Sequence, residues 1–171
     1  LGGVINGLIL SNNHVLANTS TIENPRANIG DSILQPGSFD DGTMENDQLA
    51  ILHSYVPLSE SAPNLVDAAW VKPLNPADVS EEILGIGYIG EVIQPQADMD
   101  VQKSGRTTGV TTGKILDVDA TTTVEYDGLQ LQFTDQVITT YMMDPGDSGS
   151  LGLDMSNNVW GLGFAGSEEL T

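Results

Sequence analysis

This sequence predicts an all-β fold, and three observations support that. Two short runs flank turn dipeptides as hairpins do: Ile5-Asn6-Gly7-Leu8, and Val124 to Phe133, which alternates around Asp127-Gly128. Threonine, valine and isoleucine are frequent and glycine is abundant, which suits pleated strands and tight turns. No stretch carries a long helical period with caps. The 171 residues could make one large domain or two small packed ones, and 39% hydrophobic content is enough for a core.

The elements follow in chain order. Leu8, Ile9 and Leu10 form an apolar strand that runs into the polar break Ser11-Asn12-Asn13, where His14 sits. Leu49 to Val56 has a strand pattern and carries His53. Leu65 to Val71 is an apolar run interrupted by one acid, Asp67. Pro76 to Leu84 is the one segment with the makings of a short helix. There is no internal repeat at a fixed period, and no apolar run reaches membrane-spanning length.

One stretch assigns a reaction: Asp144-Pro145-Gly146-Asp147-Ser148-Gly149-Ser150. A serine hydroxyl attacks a carbonyl only when a base takes its proton and donors hold the oxyanion. Glycines on both sides of Asp147-Ser148 allow a sharp turn and close approach of a substrate. The amides of Gly146 and Ser148 can then form an oxyanion hole. The Gly-x-Ser-x-Gly elbow of the α/β-hydrolases is absent.

With two histidines in the chain, few bases compete. His14, at a strand end, is held firmly yet reaches a cleft, as a general base must. His53 reads as a partly solvated strand residue. The orienting carboxylate is assigned to Asp67, because an unpaired acid in an apolar run is costly. Asp47 reads as a solvated turn residue, and Asp31, Asp40 and Asp41 as loop acids. The order His14, Asp67, Ser148 is that of one of three unrelated triad folds.

Four patches now carry a resemblance: Ser11 to Val15, Val66 to Ala69, Gly146 to Gly149, and Lys103-Ser104-Gly105-Arg106-Thr107-Thr108-Gly109 followed by Thr112 to Ile115. The chain resembles the trypsin/chymotrypsin-like serine proteases, and within them the bacterial α-lytic group. The resemblance implies two packed six-stranded antiparallel β-barrels with the site in the cleft between them. Residues 1–75 would hold His14 and Asp67, and residues 76–171 the nucleophile, with a linker from Lys72 to the Glu81-Glu82 region. It further implies peptide hydrolysis through an acyl-enzyme, a peptide or protein substrate and no cofactor. Met142, Met143, Gly163, Phe164 and Gly166 would line the specificity pocket and favour small or medium apolar residues. The rival reading is a silent or self-processing protease-like module.

The sequence departs from the family pattern at four points. Only 13 residues precede His14, and Leu1-Gly2-Gly3 does not look like an activating amino terminus, so Asp147 is expected to find another partner. The sequence stops at Thr171, where relatives continue with a strand and a helix, so the second barrel is expected to be truncated and open along an edge. Phe164 falls where relatives place a serine that supports the triad carboxylate, so Asp67 is expected to accept fewer hydrogen bonds. Ser150 replaces a common glycine or proline.

Charge bounds the rest. With 24 acids against 5 bases the net charge is -19, which excludes general nucleic-acid binding. High-salt adaptation, avoidance of self-association and calcium binding could each explain it. The calcium candidates are Asp98 with Asp100 and Asp117 with Asp119, neither pair having EF-hand spacing. A solvated acidic surface is the favoured reading, with no metal site. Cysteine is absent, so the redox compartment stays open. Leu1 is not a natural start, which fits removal of a leader and favours an extracellular setting.

Overall fold

The computed structural model describes residues 2–167 and 170–171. The chain runs through β1 (Gly3–Ile5), β2 (Leu8–Ser11), a one-turn helix α1 (Asn13–Leu16), β3 (Ser32–Leu34), β4 (Gln48–Tyr55) and β5 (Ala69–Pro73). It continues with β6 (Glu82–Ile83), β7 (Gly87–Tyr88), β8 (Asp100–Gly105), β9 (Gly109–Tyr126), β10 (Leu129–Thr139), β11 (Leu151–Asp154) and β12 (Val159–Leu162). Two five-stranded sheets result, ordered β1-β2-β5-β4-β3 and β10-β9-β8-β11-β12, and β6 pairs with β7 in a small ribbon. All paired strands are antiparallel. No helix among the described residues is long and apolar enough to cross a membrane.

Both hairpins expected from sequence form. Ile5 pairs with Leu8, and Tyr126 with Leu129. Asp127 and Gly128 both take positive φ (50° and 84°), the backbone of a tight turn whose twist matches its strands. The short helix expected over Pro76–Leu84 does not form. Asn75 caps a single 3-10 turn at Pro76–Asp78, and Val79 returns to extended backbone. Burying Ile83 in a strand pair beside Leu151, Leu153 and Val159 outweighs the weak local preference for helix.

Each sheet has five strands where six were expected, and in the second sheet other backbone segments pair with parts of the free edges. Glu91–Ile93 runs parallel to β12, with bonds from Ile93 N to Val159 O (2.9 Å) and from Val159 N to Glu91 O (2.8 Å). The open edge expected in the second barrel is closed along parts of β10. Thr171 exchanges backbone bonds with Thr139, and Asn64 bonds Gln132 O (2.8 Å) and receives Thr134 N (3.0 Å). These last bonds join the two halves, because Asn64 precedes β5 of the first sheet.

The cores follow the same plan. Val4, Ile9, Leu52, Ala69 and Val71 pack inside the first sheet, and Val101, Ile115, Met142 and Met143 inside the second. Leu58, Leu131 and Phe133 form a further cluster between the halves, with Tyr126 and Phe164 packed against it. This shared core sets the position of the hairpin tip of β9 and β10 relative to Asp67.

Candidate active site

His14 lies on α1, the turn that ends β2. Buried amides hold that turn in a chain without cysteine. Asn13 Nδ2 donates to Ser20 O (2.9 Å) and Val56 O (2.7 Å), while Asn13 Oδ1 accepts from Ser20 N (2.8 Å). Asn12 Nδ2 donates to Asp67 O (2.8 Å) and so ties the turn to the segment leading into β5. In sequence, Ser11-Asn12-Asn13 form a polar break. In the fold all three are fully buried.

Asp67 and His14 meet as expected. The His14 side chain is 16% exposed and the Asp67 side chain 0%, and His14 Nδ1 lies 2.6 Å from Asp67 Oδ2. The carboxylate therefore accepts a hydrogen bond from Nδ1–H, which leaves Nε2 free as an acceptor. His14 N donates to Asp67 Oδ1 (3.1 Å), and Tyr126 Oη donates to Asp67 Oδ2 (2.8 Å). The expectation that Asp67 would be short of hydrogen bonds is thus corrected. Phe164 offers no hydroxyl and packs its ring 4.7 Å from Phe133, but Tyr126 supplies a donor from the second sheet. Burial and the neighbouring Asp67 carboxylate push the Tyr126 phenol above its ordinary value, so it stays protonated as a donor. The sequence reading missed Tyr126, although its place at an Asp-Gly hairpin tip was a signal that it projects.

Ser148 lies on the loop before β11. Asp147, beside it, is 1% exposed, and this acid does find another partner. Lys103 Nζ, 2% exposed, sits 3.1 Å from Asp147 Oδ2. Thr107 N (2.7 Å) and Thr108 N (3.1 Å) donate to Asp147 Oδ1, and Thr108 Oγ1 (2.6 Å) and Asp144 N (3.1 Å) to Oδ2. Burial pushes this carboxyl upward, but the bonds from Thr108, Asp144 and Thr107 outweigh it. They hold the group well below the usual carboxylate range.

This anchoring shapes the loop. Gly146 (φ 101°) and Gly149 (φ 89°) take left-handed backbone. A side chain at Gly146 would strike Thr107 Oγ1, and one at Gly149 would strike Ser11 Oγ. Asp147 N and Gly149 N are spent on Asp144 O and Gly163 O, each bond 2.8–2.9 Å. Among the described residues, Gly146 N and Ser148 N donate to no backbone acceptor, as an oxyanion site requires.

His14 and Ser148 together line two clefts. One, of about 490 Å³, includes Tyr126, Tyr141, Met143, Asp144, Phe164 and Gly166. The other, of about 590 Å³, lies toward Ile33, Asp40, Arg106 and Gly146. No hydrogen bond joins Ser148 Oγ to His14 among the described residues, and such bonds are often long before substrate binds. Of the expected pocket residues, Met143, Phe164 and Gly166 line the first cleft. Met142, Met143, Gly163 and Phe164 line an adjoining pocket of about 230 Å³.

The remaining acids fall into place. His53 is exposed on β4, away from both clefts. Asp47 accepts from Thr43 N (2.8 Å), and Asp31 from Asn28 N (2.8 Å), as turn residues do. Asp40 is more than a loop acid, because Arg106 of the second half forms a two-point ion pair with it, Nε to Oδ2 at 3.0 Å. Lys114 pairs with Asp100 (2.8 Å) and donates to Asp98 O (2.8 Å), and Asp117 accepts from Asp119 N (3.0 Å). Asp144, half-buried at the cleft wall, accepts from Tyr141 Oη.

The arrangement of curled sheets recurs in solved structures. The chain superposes on Cellulomonas bogoriensis chymotrypsin with a TM-score of 0.66 at 20% identity, over 100% of this chain and 80% of that one. The fold is that of the chymotrypsin-like serine proteases. A glutamic-acid-specific serine protease matches at TM-score 0.62 and 19% identity, covering 98% of this chain and 81% of its own. The Nocardiopsis protease NAPase matches at 0.61 and 18%, covering 95% and 74%. No protein-family model and no curated protein matches the sequence.

Proposed function

We propose that the chain is a serine endopeptidase acting through an acyl-enzyme, with residues 1–75 and 76–171 as the two halves of its cleft. The observation that carries this reading is His14, bonded to the buried Asp67 and sharing one cleft with Ser148, beside two unspent amides. His14 Nε2 takes the proton from Ser148 Oγ as it attacks the carbonyl, and Asp67 stabilises the imidazolium. Gly146 N and Ser148 N hold the oxyanion. The proton passes to the leaving amine, and water repeats the steps to release the acid. Nothing in this sequence of steps calls for a cofactor.

Met142, Met143, Gly163, Phe164 and Gly166 support a preference for small or medium apolar residues ahead of the scissile bond, since methionine fills space flexibly. Asp144, at the cleft wall, is the acid that a Lys or Arg preference in a peptide-library profile would implicate.

An active-site fluorophosphonate tests the proposal. Ser148 should be labelled, and Ser148→Ala should abolish labelling and lower peptide hydrolysis about 10⁴-fold or more without unfolding the chain. Near-normal turnover by that variant would overturn the assignment. Labelling with a single cleavage of its own chain and no turnover on added peptides would identify a self-processing protease. No labelling at all would leave a protease-like binding module.

A further inference from the structure

Resting on the hydrolase reading above, we infer that Tyr126 is a positioning residue for His14 and Asp67: its hydroxyl fixes the carboxylate and its ring walls the imidazole. The carboxylate of Asp67 has one oxygen, Oδ1, on the His14 backbone amide (3.1 Å). The other, Oδ2, is shared between His14 Nδ1 (2.6 Å) and Tyr126 Oη (2.8 Å). Three donors around one carboxylate define its plane. With His14 as the sole partner, the group could turn about its Cβ–Cγ bond and carry the imidazole out of line.

The chemical type of the donor matters. Asp67 is buried, and a buried carboxylate without partners is costly. A lysine or arginine would satisfy it but would also neutralise the charge that must stabilise the imidazolium. Among the described residues no such cation pairs with Asp67, and its one ion-pair partner is His14. A phenol supplies a bond without supplying charge. The elevated proton affinity of Tyr126 keeps it a donor through the neutral range.

The tertiary structure aims the hydroxyl. Tyr126 ends β9, and its partner strand β10 is docked along the segment that leads to Asp67. Asn64 bonds Gln132 O and Thr134 N, and Gln136 Nε2 donates to Leu65 O (3.0 Å). The Tyr126 ring lies 4.9 Å from the His14 ring at 31°, and both face the cleft that holds Ser148. Each half of the cleft thus contributes a donor to the same carboxylate oxygen.

The test compares Tyr126→Phe, which removes only the hydroxyl, with Tyr126→Leu, which also removes the ring. Tyr88→Phe is the control, since Tyr88 is exposed at 68% and outside the site. In proton NMR, the low-field Nδ1–H resonance of His14 should shift in Tyr126→Phe, and its exchange with water should quicken about tenfold. For peptide hydrolysis kcat should fall roughly 10- to 100-fold with KM within about twofold. Tyr126→Leu should also raise KM, because it opens the cleft wall. An unchanged Nδ1–H resonance and unchanged kcat in a folded Tyr126→Phe protein, with melting temperature as the check, would overturn the inference. The NMR arm reads the pair whether or not peptides are cleaved. A shifted resonance in a protein that never hydrolyses peptide would sustain the positioning role while removing the hydrolase reading.

Discussion

Two buried aspartates flank the candidate site, and they are solvated in opposite ways. Asp147 meets a permanent cation, Lys103, and four further donors from Thr107, Thr108 and Asp144. Asp67 meets no permanent cation, only an imidazole, a phenol and a backbone amide. The difference follows from what each charge has to do. Asp147 holds a loop in shape, so its charge can be fully neutralised. Asp67 faces a group that becomes cationic only during the proposed reaction, so its charge has to remain available until then.

The largest effect that separates the two is on turnover. Asp67→Asn should lower kcat about 10⁴-fold while leaving the melting temperature nearly unchanged, because the amide keeps the shape but offers the imidazole the wrong partner. Steady-state kinetics beside a thermal melt would show it. Equal losses of activity and stability would mean that Asp67 is structural like Asp147.

The reverse pattern is expected at the other aspartate. Lys103→Met leaves the Asp147 charge buried without its cation and should destabilise the fold by about 3–5 kcal/mol in denaturant titration. Adding Asp147→Asn should recover part of that loss. No recovery in the double variant would show that the lysine acts through its own packing instead of through the pair.

Two groups at the candidate site whose proton affinity the fold shifts strongly, Asp147 and Tyr126, bracket a pH window. The Asp147 carboxyl is lowered in the fold, so its contribution is present above its unfolded value of about 4 and is lost as pH falls below that. The Tyr126 phenol is raised, so its contribution is complete below its unfolded value of about 10 and is lost as pH rises beyond it. Stability measured by denaturant should therefore fall below about pH 4, and less steeply in Asp147→Asn. An identical acid limb in that variant would assign acid unfolding to other carboxylates.

The smallest effect concerns the surface. A net charge of -19 repels itself, and salt screens that repulsion over about 10 Å at 0.1 M. The melting temperature should rise with sodium chloride, and a continued rise into molar salt would support high-salt adaptation. A flat response would remove self-repulsion as a factor. A large gain with micromolar calcium alone would instead identify a cation site.

Much of the architecture was legible because strand periodicity and turn chemistry are local. Asn6-Gly7 and Asp127-Gly128 specify hairpins through their own backbone preferences. Asp67 stood out because a single acid in an apolar run needs a partner, whatever the fold. The Pro76–Leu84 segment departs from its local pattern for the complementary reason: that pattern allows a helix, but burial of Ile83 in a distant cluster decides for extended chain.

The sequence by itself determined the all-β class, the Gly146–Gly149 turn, the shortage of candidate bases and the acidic surface, since each depends on residue type and near neighbours. Only the tertiary structure decided which donors reach each buried carboxylate. Tyr126 lies 59 positions from Asp67, and Lys103 lies 44 from Asp147. No local preference links residues so far apart. Their meeting depends on how β10 docks on Asn64 and how β8 lies beside β11, where shared burial and backbone pairing set the geometry.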